Sequence, residues 1–77
     1  MPGLRDRVIA IICEEWPNPE NKVQSATIYE RLQSADAEAS EHDVREVLIQ
    51  LANHDEITLV FETASPTVVG VHPELCP

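Results

Sequence analysis

The sequence predicts an α+β fold in which three helices precede a β-hairpin within one domain, residues 1–77. Three segments place apolar residues three and four positions apart, the spacing of amphipathic helices. Two short β-branched runs then follow each other across a turn, which is typical of a hairpin. A chain of this length buries only about 60% of its unfolded surface, so we expect no large active-site cleft.

The first predicted helix lies in GLRDRVIAIICEEW and stops before Pro17. Its apolar stripe consists of Leu4, Val8, Ile11, Ile12 and Trp16. The run VIAIIC is too short for a signal peptide and is followed by Glu14 and Glu15. No run approaches the roughly 18 apolar residues of a membrane span. We therefore expect a cytoplasmic protein that does not enter a membrane.

The next segment predicts a turn, a short extended piece and a second helix. PNPEN has the Pro and Asn content of a turn, and KV is long enough only for a brief extended piece. In SATIYERLQS, Ser25 is expected to be the N-cap, and Ile28 and Leu32 lie on one side. The second helix should be brief.

The third predicted helix begins after Ser40, an N-cap that forms a weak capping box with Asp43. The helix should end between Asn53 and Asp55. Its apolar face consists of Val44, Val47, Leu48 and Leu51.

The hairpin is predicted from ITLVFE and TVVGV, joined by a loop of about four residues, TASP. Residues in a strand alternate between its two faces. We therefore expect Ile57, Leu59 and Phe61 to turn inward and complete the core, with Pro73 after the second strand.

The charge balance is strongly acidic. Fourteen acidic residues against five basic ones give a net charge of −9, and Lys22 is the only lysine. An acidic surface can bind a basic partner or mimic nucleic acid. We prefer adaptation to concentrated salt, in which carboxylates keep the surface hydrated and their repulsion is screened. This pattern resembles that of halophilic archaeal proteins.

The two cysteines, Cys13 and Cys76, lie near opposite ends of the chain. In a cytoplasmic protein we expect two reduced thiols, with Cys13 buried and Cys76 in the tail. A disulfide is one alternative. A metal site of Cys13, His72, Cys76 and His54 is another, although the chain has no Cys-x-x-Cys motif. We expect neither metal nor cofactor.

The sequence does not predict an enzyme. Ser25 and Ser40 are explained as helix caps, and the three histidines fall on unrelated elements. With two glycines the chain has no glycine-rich phosphate loop, and it contains no nucleophile with a base beside it.

Three segments carry a resemblance to a known family: ATIYERL, SEHDVREVLIQL and NHDEITLVFE. In order and apolar spacing the chain resembles the winged helix-turn-helix superfamily from about Leu4 to His72. The resemblance implies a three-helix core, a two- to three-stranded wing and a third helix that enters the major groove of DNA. One departure is Asn53-His54-Asp55, where such domains often have glycine, although Asn or Asp can also adopt the left-handed conformation.

The outer face of the third helix carries the candidate DNA-reading residues. At about 100° per residue, the side opposite Val44 consists of His42, Arg45, Glu46, Ile49, Gln50 and Asn53. An Arg can pair with guanine, a Gln or Asn with adenine, and an aliphatic side chain can contact a thymine methyl group. Glu41 and Asp43 belong to the first turn, where the helix dipole stabilises carboxylates.

Phosphate contacts are expected from Arg31, Lys22 and the N-terminus of the second helix at Ser25, Ala26 and Thr27. With so few cations, useful affinity for double-stranded DNA would need a homodimer or a protein partner. We therefore expect a DNA-binding transcription regulator. The alternatives are a face that is merely solvated and a protein interaction module with an acidic surface.

Overall fold

The computed structural model describes residues 3–16, 22–35, 38–62 and 65–76. Its elements are α1 (Leu4–Glu15), β1 (Val23–Gln24), α2 (Ser25–Ser34), α3 (Glu41–Asn53), β2 (Ile57–Glu62) and β3 (Ser65–Val71). The strands form one antiparallel sheet in the order β1-β3-β2. The α+β class is confirmed, and the arrangement is compatible with a winged helix. The predicted turn PNPEN lies outside the described residues.

The start of α2 differs from the prediction by one residue. Ser25 is the first helical residue, and the N-cap is Gln24, whose side chain makes no capping hydrogen bond. Gln24 pairs with Thr67 in the sheet, and this pairing holds it extended at φ −81° and ψ 147°. The prediction of Ser25 as the N-cap is wrong because β1 runs directly into the helix.

Both ends of α3 are closed by local hydrogen bonds. The Asp43 amide donates to Ser40 Oγ at 3.1 Å, and the Ser40 amide donates to Asp43 Oδ2 at 3.2 Å, so the capping box is confirmed. At the other end Asp55 has φ 58°, and the Glu56 amide donates to the Leu51 carbonyl at 3.0 Å. An aspartate thus adopts the left-handed conformation that usually calls for glycine.

The core lies between the three helices and the sheet. Its buried members are Val8, Ile11, Ile12, Val23, Ile28, Leu32, Val44, Val47, Leu48, Leu51, Ile57 and Val68. Ten of these were predicted, whereas Val23 and Val68, which pair across the sheet, were missed. The predicted members Leu4, Trp16 and Leu59 are only partly buried.

Phe61 is a wrong core prediction, because its side chain is 53% exposed. It pairs with Pro66, next to the last pair of the hairpin, Glu62 with Ser65. The predicted TASP loop is also too long, since β3 begins at Ser65 and pairs it with Glu62. Thr63 and Ala64 lie outside the described residues.

The prediction of two reduced thiols is wrong. Cys13 and Cys76 form a disulfide across 63 positions of sequence, with their Cα atoms 5.6 Å apart. The C-terminal segment folds back toward α1: the His72 amide donates to the Glu56 carbonyl at 2.9 Å, and Leu75 packs against the core. Since the two sulfur atoms bond to each other, the alternative metal site is also excluded.

Candidate nucleic-acid interface

The two faces of α3 have different surroundings. Its inner face is buried against the core through Val44, Val47, Leu48 and Leu51. The helical period therefore turns the opposite face outward, and His42, Arg45, Gln50 and Asn53 are exposed there. The structure thus brings these four predicted site residues together on one exposed face. Ile49 lies among them but is half-buried, not exposed as the sequence suggested.

Ile49 owes its partial burial to the hairpin. A shallow groove of about 370 Å³ is lined by Ile49, Ala52, Asn53, Leu59 and Phe61. We call it the α3–β2 groove. Leu59 and Phe61 line it together, as expected for alternate residues of one strand. The predicted alternation in β2 therefore holds, even though Phe61 is not in the core.

Arg45 is in contact with the same strand. Its Cζ atom lies 5.7 Å from the centroid of the Phe61 ring, within the range of a cation–π interaction. Arg45 is the only Lys or Arg in α3. One cation and one aromatic ring therefore meet where α3 contacts the hairpin.

His42 and Glu46 form a second pair on α3. His42 Nε2 lies 3.6 Å from Glu46 Oε1, one helical turn away, and both side chains are more than half exposed. This contact is an ion pair only when the imidazole is protonated, and solvent screens it. It leaves both side chains accessible to a partner.

Arg31 lies on another side of the molecule. Its guanidinium is hydrogen-bonded to Glu14 and Glu15 of α1. The bond to Glu14 is the main cause that raises the pKa of Arg31. The side chain therefore stays charged. Because two carboxylates already neutralise this charge, Arg31 is a less suitable phosphate contact than the sequence suggested.

The N-terminus of α2 lies closer to α3. Ser25 and Ala26 line a small pocket of about 100 Å³ together with Glu41 and Ser65, and Thr27 is half-buried. Free N–H groups at a helix start favour an anion, whereas the Glu41 carboxylate disfavours one. Ser25 is thus near the start of α3 but beside an opposing charge, and Thr27 lies further along α2.

Sequence reasoning missed Phe61 as a residue of this site. The alternation in ITLVFE placed Phe61 on the same side of the strand as Leu59, but the prediction that it joins the core was wrong, because its side chain is 53% exposed. The signal that could have found it is this shared side, since Leu59 lines the same groove.

Within the described residues, no cluster of three or more His, Cys, Asp or Glu could hold a metal ion. No helix in those ranges is long and apolar enough to span a membrane.

The chain matches no family model, no curated protein and no solved structure. The candidate site therefore depends on the geometry described above.

Proposed function

We propose that this chain is a winged helix DNA-binding module, a transcription regulator of a halophilic archaeon, and that the outer face of α3 reads DNA. One observation carries the proposal: Arg45, Gln50 and Asn53 are exposed together on a helix whose opposite face is buried. These three residue types form the standard hydrogen-bonding pairs with guanine and adenine in the major groove.

The charge distribution supports base contacts more than phosphate contacts. Of the five cations, Arg31 pairs with two carboxylates, and Arg5 pairs with Glu56 at 2.7 Å. A single copy should therefore bind weakly. Two copies with their third helices about 34 Å apart, one turn of DNA, would supply the missing affinity.

The cytoplasmic location belongs to the same proposal. A disulfide is uncommon in a reducing cytoplasm, so the Cys13–Cys76 bond argues against this part of it. Alkylation of the protein in freshly lysed cells, followed by mass spectrometry, measures the fraction of thiols that is free. The structure predicts that neither cysteine is alkylated, and this result would count against the cytoplasmic location, whereas two alkylated cysteines would support it.

The test of DNA binding compares two matched double variants in molar potassium chloride. Arg45→Ala with Gln50→Ala removes one Arg and one Gln from the reading face. Arg5→Ala with Gln33→Ala removes the same residue types from exposed positions on α1 and α2. We expect only the first pair to reduce binding to random duplex DNA, because both variants have the same net charge. Equal binding by wild type and both variants would contradict the proposal.

Salt dependence provides a second test. The net charge of −9 repels DNA, and the Debye length falls from about 10 Å at 0.1 M to about 3 Å at 1 M salt. We expect thermal stability to rise into the molar range and DNA affinity to stay flat or rise. Trp16 fluorescence checks that the protein is folded at each point. A steep loss of affinity with the fold intact would refute a halophilic DNA-binding protein.

The α3–β2 groove favours a second candidate, a protein interaction module. Its apolar lining includes Phe61, and the neighbouring Val60 is 39% exposed. Exposed apolar residues of this kind are common at protein interfaces. This candidate predicts that the Arg45→Ala, Gln50→Ala variant loses no DNA affinity, which separates it from the first.

A further inference from the structure

Phe61 is an aromatic residue that the core does not use. Its side chain is 53% exposed, and exposing an aromatic ring forgoes the stabilisation that its burial would bring. The backbone of Phe61 is held in the sheet, since Phe61 pairs with Pro66 in the hairpin. The Arg45 guanidinium carbon lies 5.7 Å from the ring centroid. Phe61 therefore presents its ring to the one cation of α3.

Contact with this ring limits the conformations of Arg45. A free Arg side chain loses considerable rotamer entropy when it binds, and a guanidinium against a ring has already lost part of it. A phenyl ring offers no oxygen or nitrogen acceptor, so this contact leaves the N–H groups of Arg45 available as donors. Arg45 is thus positioned to donate two hydrogen bonds to a ligand that presents two acceptors in one plane.

Ile49 lies one helical turn from Arg45 and lines the α3–β2 groove with Phe61. Residues four apart on a helix are neighbours on its surface. An apolar recess of about 370 Å³ therefore lies beside the guanidinium. A ligand that fits both features has two hydrogen-bond acceptors in a plane and a methyl group next to them.

Resting on the proposed DNA-binding function, we infer that Phe61 is a positioning residue that holds Arg45 for a two-point contact with guanine. The groove then takes the methyl group of a thymine in the adjacent base pair. In the major groove, guanine presents the O6 and N7 acceptors and thymine presents its C5 methyl group. The chain should therefore prefer duplexes in which a guanine and a thymine are neighbours.

The test begins with a duplex selected by the wild-type protein from a random pool in molar potassium chloride. Replacing its contacted guanine with 7-deazaguanine removes only the N7 acceptor, and replacing thymine with deoxyuracil removes only the methyl group. We expect the first change to weaken wild-type binding about 5-fold or more. Removing the thymine methyl group should weaken wild-type binding about 4-fold, which is the change in affinity expected from losing one buried group of methylene size.

Protein variants assign these effects to residues. Phe61→Leu should weaken binding to the selected duplex about 2- to 5-fold, whereas Phe61→Tyr, which keeps the ring, should bind like wild type. Ile49→Ala should bind the thymine and deoxyuracil duplexes equally. In the free protein, NMR ring-current shifts of the Arg45 side-chain protons should persist in Phe61→Tyr and disappear in Phe61→Leu.

The outcomes separate this inference from the function on which it rests. If wild type enriches no sequence and binds no duplex, both fail. If wild type binds and the Arg45→Ala, Gln50→Ala variant does not, but Phe61→Leu equals wild type, only the positioning role is overturned. If deoxyuracil substitution has no effect on wild-type binding, the methyl contact is overturned.

Discussion

Two sides of this molecule use their charged and apolar residues differently. On the side formed by α1 and the C-terminal segment, a disulfide joins Cys13 to Cys76, and Arg5 pairs with Glu56. Arg31 of α2 is bound on another face of α1 by two of its carboxylates. On the side formed by α3 and β2, Arg45 lies over the exposed ring of Phe61.

The difference shows which arginines are left for a partner. Carboxylates of the same chain already pair with the charges of Arg5 and Arg31. A phenyl ring offers no oxygen or nitrogen acceptor, so Arg45 can still form directional hydrogen bonds. The first side stabilises the fold, and the second side is where we place recognition.

The largest expected effect removes the covalent link on the first side. A disulfide that closes a loop of this length is worth about 4 kcal/mol, because it restricts the unfolded chain. We therefore expect Cys76→Ser and Cys13→Ser to lower the free energy of unfolding by similar amounts. Urea unfolding followed by Trp16 fluorescence measures this, and reduced wild type should match both variants.

The control for this prediction is the double variant. Cys13→Ser with Cys76→Ser should lose little more than either single variant, since both changes break the same bond. A Cys76→Ser protein as stable as oxidised wild type, beside a destabilised Cys13→Ser, would mean that the bond does not form and that Cys13 acts only by its burial.

The next effect compares adjacent residues on the two faces of α3. Leu48 is fully buried, so Leu48→Ala should cost about 2 to 5 kcal/mol of unfolding free energy. Ile49 is half-buried at the groove, and Ile49→Ala should cost about 1 kcal/mol. Urea unfolding of both variants checks the order. Equal costs would show that the α3–β2 groove is closed in solution and is not a surface for a partner.

The smallest effect concerns Asp55, which connects α3 to β2 within the second side. Its φ of 58° suits glycine better than any residue with a Cβ atom. Asp55→Gly should leave stability unchanged or raise it by up to about 1 kcal/mol, whereas Asp55→Ala should lower it by about 1 kcal/mol. Thermal unfolding in molar salt provides the measurement. A loss in Asp55→Gly as large as in Asp55→Ala would indicate that the Asp55 side chain itself stabilises this turn.

Much of the fold could be predicted from local pattern. Apolar spacing located all three helices, and the Ser40 and Asp43 pair located the start of α3, because capping joins residues only three positions apart. The bounds of β2 were also predicted, since alternation is a property of adjacent residues. The outer face of α3 followed from its inner face by the helical period alone.

The remaining features depend on contacts between distant segments, which no local pattern contains. The start of α2 was set by the pairing of Gln24 with Thr67. Whether Cys13 is a thiol or part of a disulfide was set by Cys76, 63 positions away. Phe61 was predicted to face inward, but the elements of the described structure leave its side chain 53% exposed. Sequence periodicity therefore determined which face each residue occupies, while the packing of separate elements decided what, if anything, covers that face.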